Sequence, residues 1–99
     1  DLRETVLEDT DLEWVDLQGA QLQGVYVKKA NMHAAQLQGA DLLGAKLKGV
    51  DLTNARLEGA NLERADLRKA YLSGAHLRHA RLDSSTSMPD GWESLVASR

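Results

Sequence analysis

Residues 35–67 read AQLQGADLLGAKLKGVDLTNARLEGANLERADL, and a leucine stands at every fifth position. Stepping by five from Leu2 to Leu82 visits seventeen positions; fifteen are Leu, and the other two are Val27 and Met32. Two residues before these centres runs a second register, Thr5 to Ala80, in which eleven of sixteen residues are Ala. Two residues after the centres, Gly recurs at positions 19, 24, 39, 44, 49, 59 and 74. Three registers in phase along most of the chain identify an internal repeat.

A five-residue period suits neither regular element. On a helix turning about 100° per residue, a step of five turns about 140°, so the leucines would spiral around every side. On a flat strand, side chains alternate, and successive leucines would point to opposite faces. The pattern is satisfied by a short extended piece followed by a bend. The centre and the Ala two before it then share parity and face inward, and Gly falls where the backbone turns. With bends near a right angle, four repeats close a coil of about twenty residues, and coils stack about 4.8 Å apart with their backbone groups paired.

The composition agrees with a narrow interior. The chain has 99 residues, enough for one small domain, with no Phe, two Trp and two Tyr. Its core is expected to be Leu and Ala, at positions such as Leu22, Leu42, Leu62, Ala40 and Ala60, rather than aromatic. With no cysteine, disulfides, thiolate zinc sites and cysteine nucleophiles are excluded. The net charge is -3 and no block of like charge occurs, so non-specific attraction to nucleic acid is not expected. No apolar run approaches a membrane span, and no signal-peptide pattern is present.

The pentapeptides ADLLG, ARLEG, ANLER and ADLRK resemble the pentapeptide-repeat family, whose consensus is A(D/N)LXX. The resemblance covers residues 1–84 and implies an all-β solenoid, a right-handed quadrilateral (four-sided) β-helix. About four coils of it are expected here. Handedness comes from the family and not from the period. The resemblance is specific for fold and weak for function, because members of the family do unrelated things. The chain departs from the consensus just before the centre. There Gln21, Gln36, Tyr26, Lys46, Arg56, Tyr71, His76 and Arg81 replace Asp or Asn. Such outward positions can change without harming the core.

After Leu82 the repeat stops, and residues 85–99 are expected to form a loop and a short capping α-helix. Pro89 marks the loop, and Asp90 with Glu93 fits a capping box. Met88, Trp92 and Leu95 are the residues expected to cover the last coil, since a stacked solenoid needs its apolar end closed. A ligand role for Trp92 is the lesser alternative. At the other end the chain starts at Asp1 in mid-pattern, with Leu2, Leu7, Leu12 and Leu17 lining the first coil. Either more sequence precedes this coil, the preferred reading, or its open edge meets another chain, including end-to-end self-association.

Stacking repeats four apart sorts the outward residues by side. One side gathers Lys28, Lys29, Lys46, Lys48, Arg68 and Lys69, the candidate interaction surface. The next is acidic and polar, with Trp14 and Tyr71. Charge scatter on a solvated surface is the plainer account of this segregation; docking on an acidic protein or lipid surface is the functional one. No recognised nucleic-acid reading motif accompanies the lysines. A convex rod offers no concave site for catalysis, so no catalytic residue, substrate or cofactor is expected. His76 and His79 share a repeat and invite a metal reading, but no third ligand joins them there, and ordinary exposed imidazoles are favoured.

The reading favoured by the sequence is a non-enzymatic protein-interaction or scaffold domain, a module of a longer chain with an unidentified protein partner. The alternative implied by the resemblance is a DNA-mimicking protein that binds a type II topoisomerase such as gyrase. The family occurs in bacterial cytoplasm, periplasm and thylakoid lumen, with cytoplasm as the default.

Overall fold

The computed structural model describes residues 1–93. The chain winds into coils of twenty residues, four repeats to a coil, around a core of Leu, Val and Ala. Parallel bridges join each residue just before a centre to its equivalent one coil on, from Asp11↔Asn31 through Asn61↔Arg81. The longest extended pieces are β1 (Val6–Glu8) and β2 (Tyr26–Lys28), which pair in parallel with Val6 opposite Tyr26. The molecule measures 32 × 23 × 22 Å.

Inside the stack, the centres from Leu22 to Leu77 are buried, as are the intervening Ala and Val residues. Leu22, Leu42, Leu62, Ala40 and Ala60 are each exposed by 2% or less. In the first coil Leu2, Leu7, Leu12 and Leu17 remain half-buried, packed against the core from one side. The interior contains a void of only about 10 Å³, lined in part by Val27 and Met32, which depart from the leucine pattern there. An apolar void of that size holds no ordered water.

Most corners follow one rule. The carbonyl of a centre accepts from the N–H three residues on, as at Leu22–Val25 (3.1 Å) and Leu42–Ala45 (2.9 Å), the corners after β1 and β2 being more open bends. The residue two after the centre has positive φ at every repeat from Glu4 to His79, as the third residue of a type II turn requires. Gly occupies that place seven times. At nine corners the chain places an L-residue in the left-handed region, Trp14 (φ 63) and Ala34 (φ 59) among them. An L-residue there costs about 1–2 kcal/mol, which the stacking of neighbouring coils must offset.

The preference for Asp or Asn before the centre has an equally local cause. Their Oδ1 atoms accept the backbone N–H two residues on, at Asp11, Asp16, Asn31, Asp41, Asp51, Asn61 and Asp66. That N–H points outward at the turn and takes no part in the ladder between coils. Gln, Lys, Arg, Tyr and His are too long or lack the acceptor, so Gln36, Lys46 or His76 forfeits this bond and frees its side chain for other contacts.

The C-terminal segment adds to the solenoid before any cap. The expected helix falls mostly on residues 94–99, which lie outside the described residues with Leu95 among them, and Glu93 alone is helical before them. The ladder continues past Leu82 after a one-residue insertion, so that Asp66 pairs with Ser87 at an offset of twenty-one residues. Ser87 N–H donates to the Ala65 carbonyl (2.9 Å) and Leu67 N–H to that of Ser87 (2.6 Å). Met88 thereby takes the place of a centre and packs against the core. Trp92 is half-buried in a turn that follows, its N–H donating to the Pro89 carbonyl at 3.4 Å. Asp83–Thr86 close a turn that returns the chain to the open edge, where Ser87 satisfies its unpaired backbone groups.

Candidate functional site

The lysine side is built on β2 and the segments stacked beneath it. Tyr26, exposed by 41%, has Lys28 Nζ 5.5 Å and Lys46 Nζ 5.8 Å from its ring centroid, one from its own repeat and one from the next coil. Both ammonium groups are within range of the negative face of the ring. Lys28 also approaches Glu8 at 3.9 Å. Lys29 and Lys69 stand at the same corner two coils apart, with bare Gly49 between them. Lys29, Lys46, Lys48 and Lys69 are exposed and make no ion pair within 4 Å among the described residues.

Arg68 behaves differently from the lysines. It clasps Asp66 with Nε–Oδ1 of 2.9 Å and Nη2–Oδ2 of 2.7 Å. The Arg68 side chain holds the Asp66 carboxyl below its ordinary range, with Lys48 adding to the effect, and Asp66 in turn raises the guanidinium. Its charge is locally matched, so the sequence-level grouping overstates the positive side by one residue.

A second feature lies at the corner after Leu12, Met32, Leu52 and Leu72, where Trp14, Ala34, Asn54 and Gly74 stack in order. The Trp14 ring is 66% exposed and meets His33 edge-on, with centroids 5.9 Å apart and planes at 81°. One coil on, the same corner carries only the methyl of Ala34. The step from indole to methyl opens a recess of about 390 Å³, continued by Gln36, Gln38, Arg56 and His76 of the adjoining side. Arg56 is held by Glu58 (2.9 Å), and Gln36 Oε1 accepts from Gln18 Nε2 (3.0 Å). Gln38 Oε1 is buried without a donor among the described residues.

Sequence reasoning placed Trp14 on the acidic and polar side and noted Gln36, Arg56 and His76 only as departures from the consensus, and so missed that they border one recess. The available signal was Trp14 and Ala34 at positions that favour Gly. His79 sits at a corner with φ 63, and His76 borders the recess. Among the described residues, no three His, Cys, Asp or Glu side chains converge on a common point. On the acidic side, hydrogen bonds from Thr53 hold the Asp51 carboxyl below its ordinary range, aided by His33. No helix among the described residues is long and apolar enough to cross a membrane.

Comparison with known proteins agrees with this geometry. The family model described as pentapeptide repeats matches residues 1–33, 16–54 and 45–83. No curated protein matches the chain. A pentapeptide repeat protein from Nostoc Pcc 7120 is 40% identical with a TM-score of 0.86, over 95% of this chain and 78% of its own. One from the Arabidopsis thaliana thylakoid lumen is 31% identical with a TM-score of 0.84, over 89% of this chain and 61% of its own. One from the cyanobacterium Cyanothece 51142 is 30% identical with a TM-score of 0.60, over 87% of this chain and 62% of its own. The shared architecture is the right-handed quadrilateral β-helix. The chain spans less than two thirds of the last two relatives.

Proposed function

The chain belongs to the pentapeptide-repeat family, and from that premise we propose that it is a non-enzymatic interaction module that docks an acidic protein surface on its lysine side. The observation that carries this reading is the alignment of Lys29, Lys46, Lys48 and Lys69, drawn from three successive coils onto one rigid side around Tyr26. A rigid side loses little conformational freedom on binding, and fixed positive charge steers an acidic partner toward it. Tyr26 supplies the aromatic anchor that interface centres favour. The repeat over residues 1–84 presents this surface, and Ser87 and Met88 extend its ladder and core.

Affinity capture with the wild-type chain and with a Lys46→Glu, Lys48→Glu, Lys69→Glu variant tests the reading. A partner retained by the wild type, released by salt and lost by the variant supports it. Equal retention by both would sink it. The alternative, a DNA-mimicking topoisomerase ligand, calls for a long acidic rod, whereas this chain carries a net charge of -3 and measures 32 Å along its longest axis. Inhibition of gyrase supercoiling by the purified chain at low micromolar concentration would reverse the order of the two.

A further inference from the structure

The recess beside Trp14 lies on a different side from the lysines and has a different chemistry. Its volume of about 390 Å³ is in the range of ligand sites, about 300–1,000 Å³. Its polar groups are chiefly carboxamides: Gln36, Gln38 and Asn54. The one permanent charge at its edge, Arg56, is matched by Glu58 at 2.9 Å. An anion would require a surplus of donors and a cation a surplus of acceptors. Carboxamides offer both, as hydroxyl groups do, and so match a neutral polyhydroxylated ligand. Gln36 keeps its amide N–H groups to donate, because its oxygen already accepts from Gln18. Gln38 Oε1 is a buried acceptor without a donor among the described residues, so a small rotation of the carboxamide would let it accept from a ligand hydroxyl.

The aromatic wall completes the match. Trp14 presents a 66% exposed indole steadied by His33, at a φ of 63° that bulky residues rarely adopt. Its flat apolar face suits the C–H face of a pyranose ring, with the polar edge of the sugar left to the carboxamides. We infer that this recess binds a neutral saccharide, stacked on Trp14 and hydrogen-bonded by Gln36, Gln38 and Asn54. The few contacts and open shape correspond to a dissociation constant of about 1 mM.

The test is titration of the isotopically labelled full chain with cellohexaose, maltohexaose and chitohexaose, and with hexaglutamate as an anionic probe. The Trp14 indole N–H and the side-chain amides of Gln36, Gln38 and Asn54 report the site. At least one neutral hexasaccharide is expected to shift these resonances saturably. Trp14→Gly and Gln38→Ala should weaken that binding about tenfold, the loss expected at an anchoring contact. Trp14→Gly removes the ring while installing the residue that the backbone favours, so it is expected to fold, and spectral dispersion checks this. Lys46→Glu should leave saccharide binding unchanged, which separates this site from the lysine side. The inference is overturned if none of the three saccharides shifts the Trp14 indole at about 20 mM, well above the expected constant. It is equally overturned if hexaglutamate alone shifts these resonances, or if affinity survives Trp14→Gly.

Discussion

The carboxylate of Asp83 accepts the backbone N–H of Arg64 at 3.1 Å, in the place where every earlier coil uses a backbone carbonyl. Its Oδ1 also accepts from Ser85 N–H and from the Thr86 hydroxyl, both at 3.0 Å. One side chain thus closes the regular ladder and shapes the insertion that brings Met88 over the last coil. Asp83→Ala is expected to lower the thermal midpoint and to expose the last coil first. Faster amide exchange at Arg64 and Leu67 than at Leu42 would show it. Asp83→Asn, which retains an acceptor, should recover most of the loss.

The acid response follows from three carboxylates held below the ordinary Asp value of 3.8, at Asp51, Asp66 and Asp83. Hydrogen bonds from Thr53, Arg68 and the Arg64 backbone respectively are the leading causes. Each favours the ionised form in the folded state, so the unfolded chain binds more protons between the folded and unfolded values. Their contribution is complete above the unfolded value, about 3.9, and is lost as pH falls through the lowered folded values. Urea midpoints measured from pH 7 to 2.5 should therefore drop below about pH 4. A smaller drop is expected in an Asp51→Asn, Asp66→Asn double variant.

Burial grades the cost of truncating a centre. Leu57 is 0% exposed between two complete coils, and Leu57→Ala should cost about 2–5 kcal/mol in urea unfolding. Leu12, half-buried in the first coil, should cost less than half as much on the same substitution. Equal losses would mean that the first coil is covered in solution.

The turn rule separates two glycines. A Cβ at Gly39 meets nothing within 4 Å, so Gly39→Ala carries only the left-handed cost at φ 68, about 1–2 kcal/mol. At Gly74, with φ 71, a Cβ would overlap the Asn54 side-chain oxygen, so Gly74→Ala should cost more. Asn54→Gly introduced with Gly74→Ala should bring the cost back to that of Gly39→Ala. Equilibrium unfolding of the three variants checks this.

Asp41 links three coils. It accepts from Gln23 Nε2 (2.9 Å) above, Asn61 Nδ2 (3.2 Å) below and the Leu43 backbone (3.2 Å). Asp41→Ala should cost about 1.5–3 kcal/mol, the range for hydrogen bonds to a charged group. Asp11, exposed and with its carboxylate bonded among the described residues only to Glu13 N–H, should cost less when changed to Ala.

The five-residue period is a strictly local signal: it specifies which side chains face in and where the chain turns, and with right-angle bends it gives four repeats to a coil. Leu, Ala and Gly registers therefore determined the solenoid, its core and the side on which Lys29, Lys46, Lys48 and Lys69 align. The period has no purchase on contacts that depend on side-chain length, rotamer or an insertion. Arg68 folding back on Asp66 is a rotamer choice within one repeat, while Trp14 resting on His33 twenty residues less one along the chain, and the recess left by Ala34, arise only once coils stack. So does the return of Ser87 and Met88 to the ladder, in a stretch that the Ser/Thr run and Pro89 marked only as a loop. An open coil edge offers unpaired backbone groups that a sequence window cannot see, and satisfying them decided the path of the chain after Leu82.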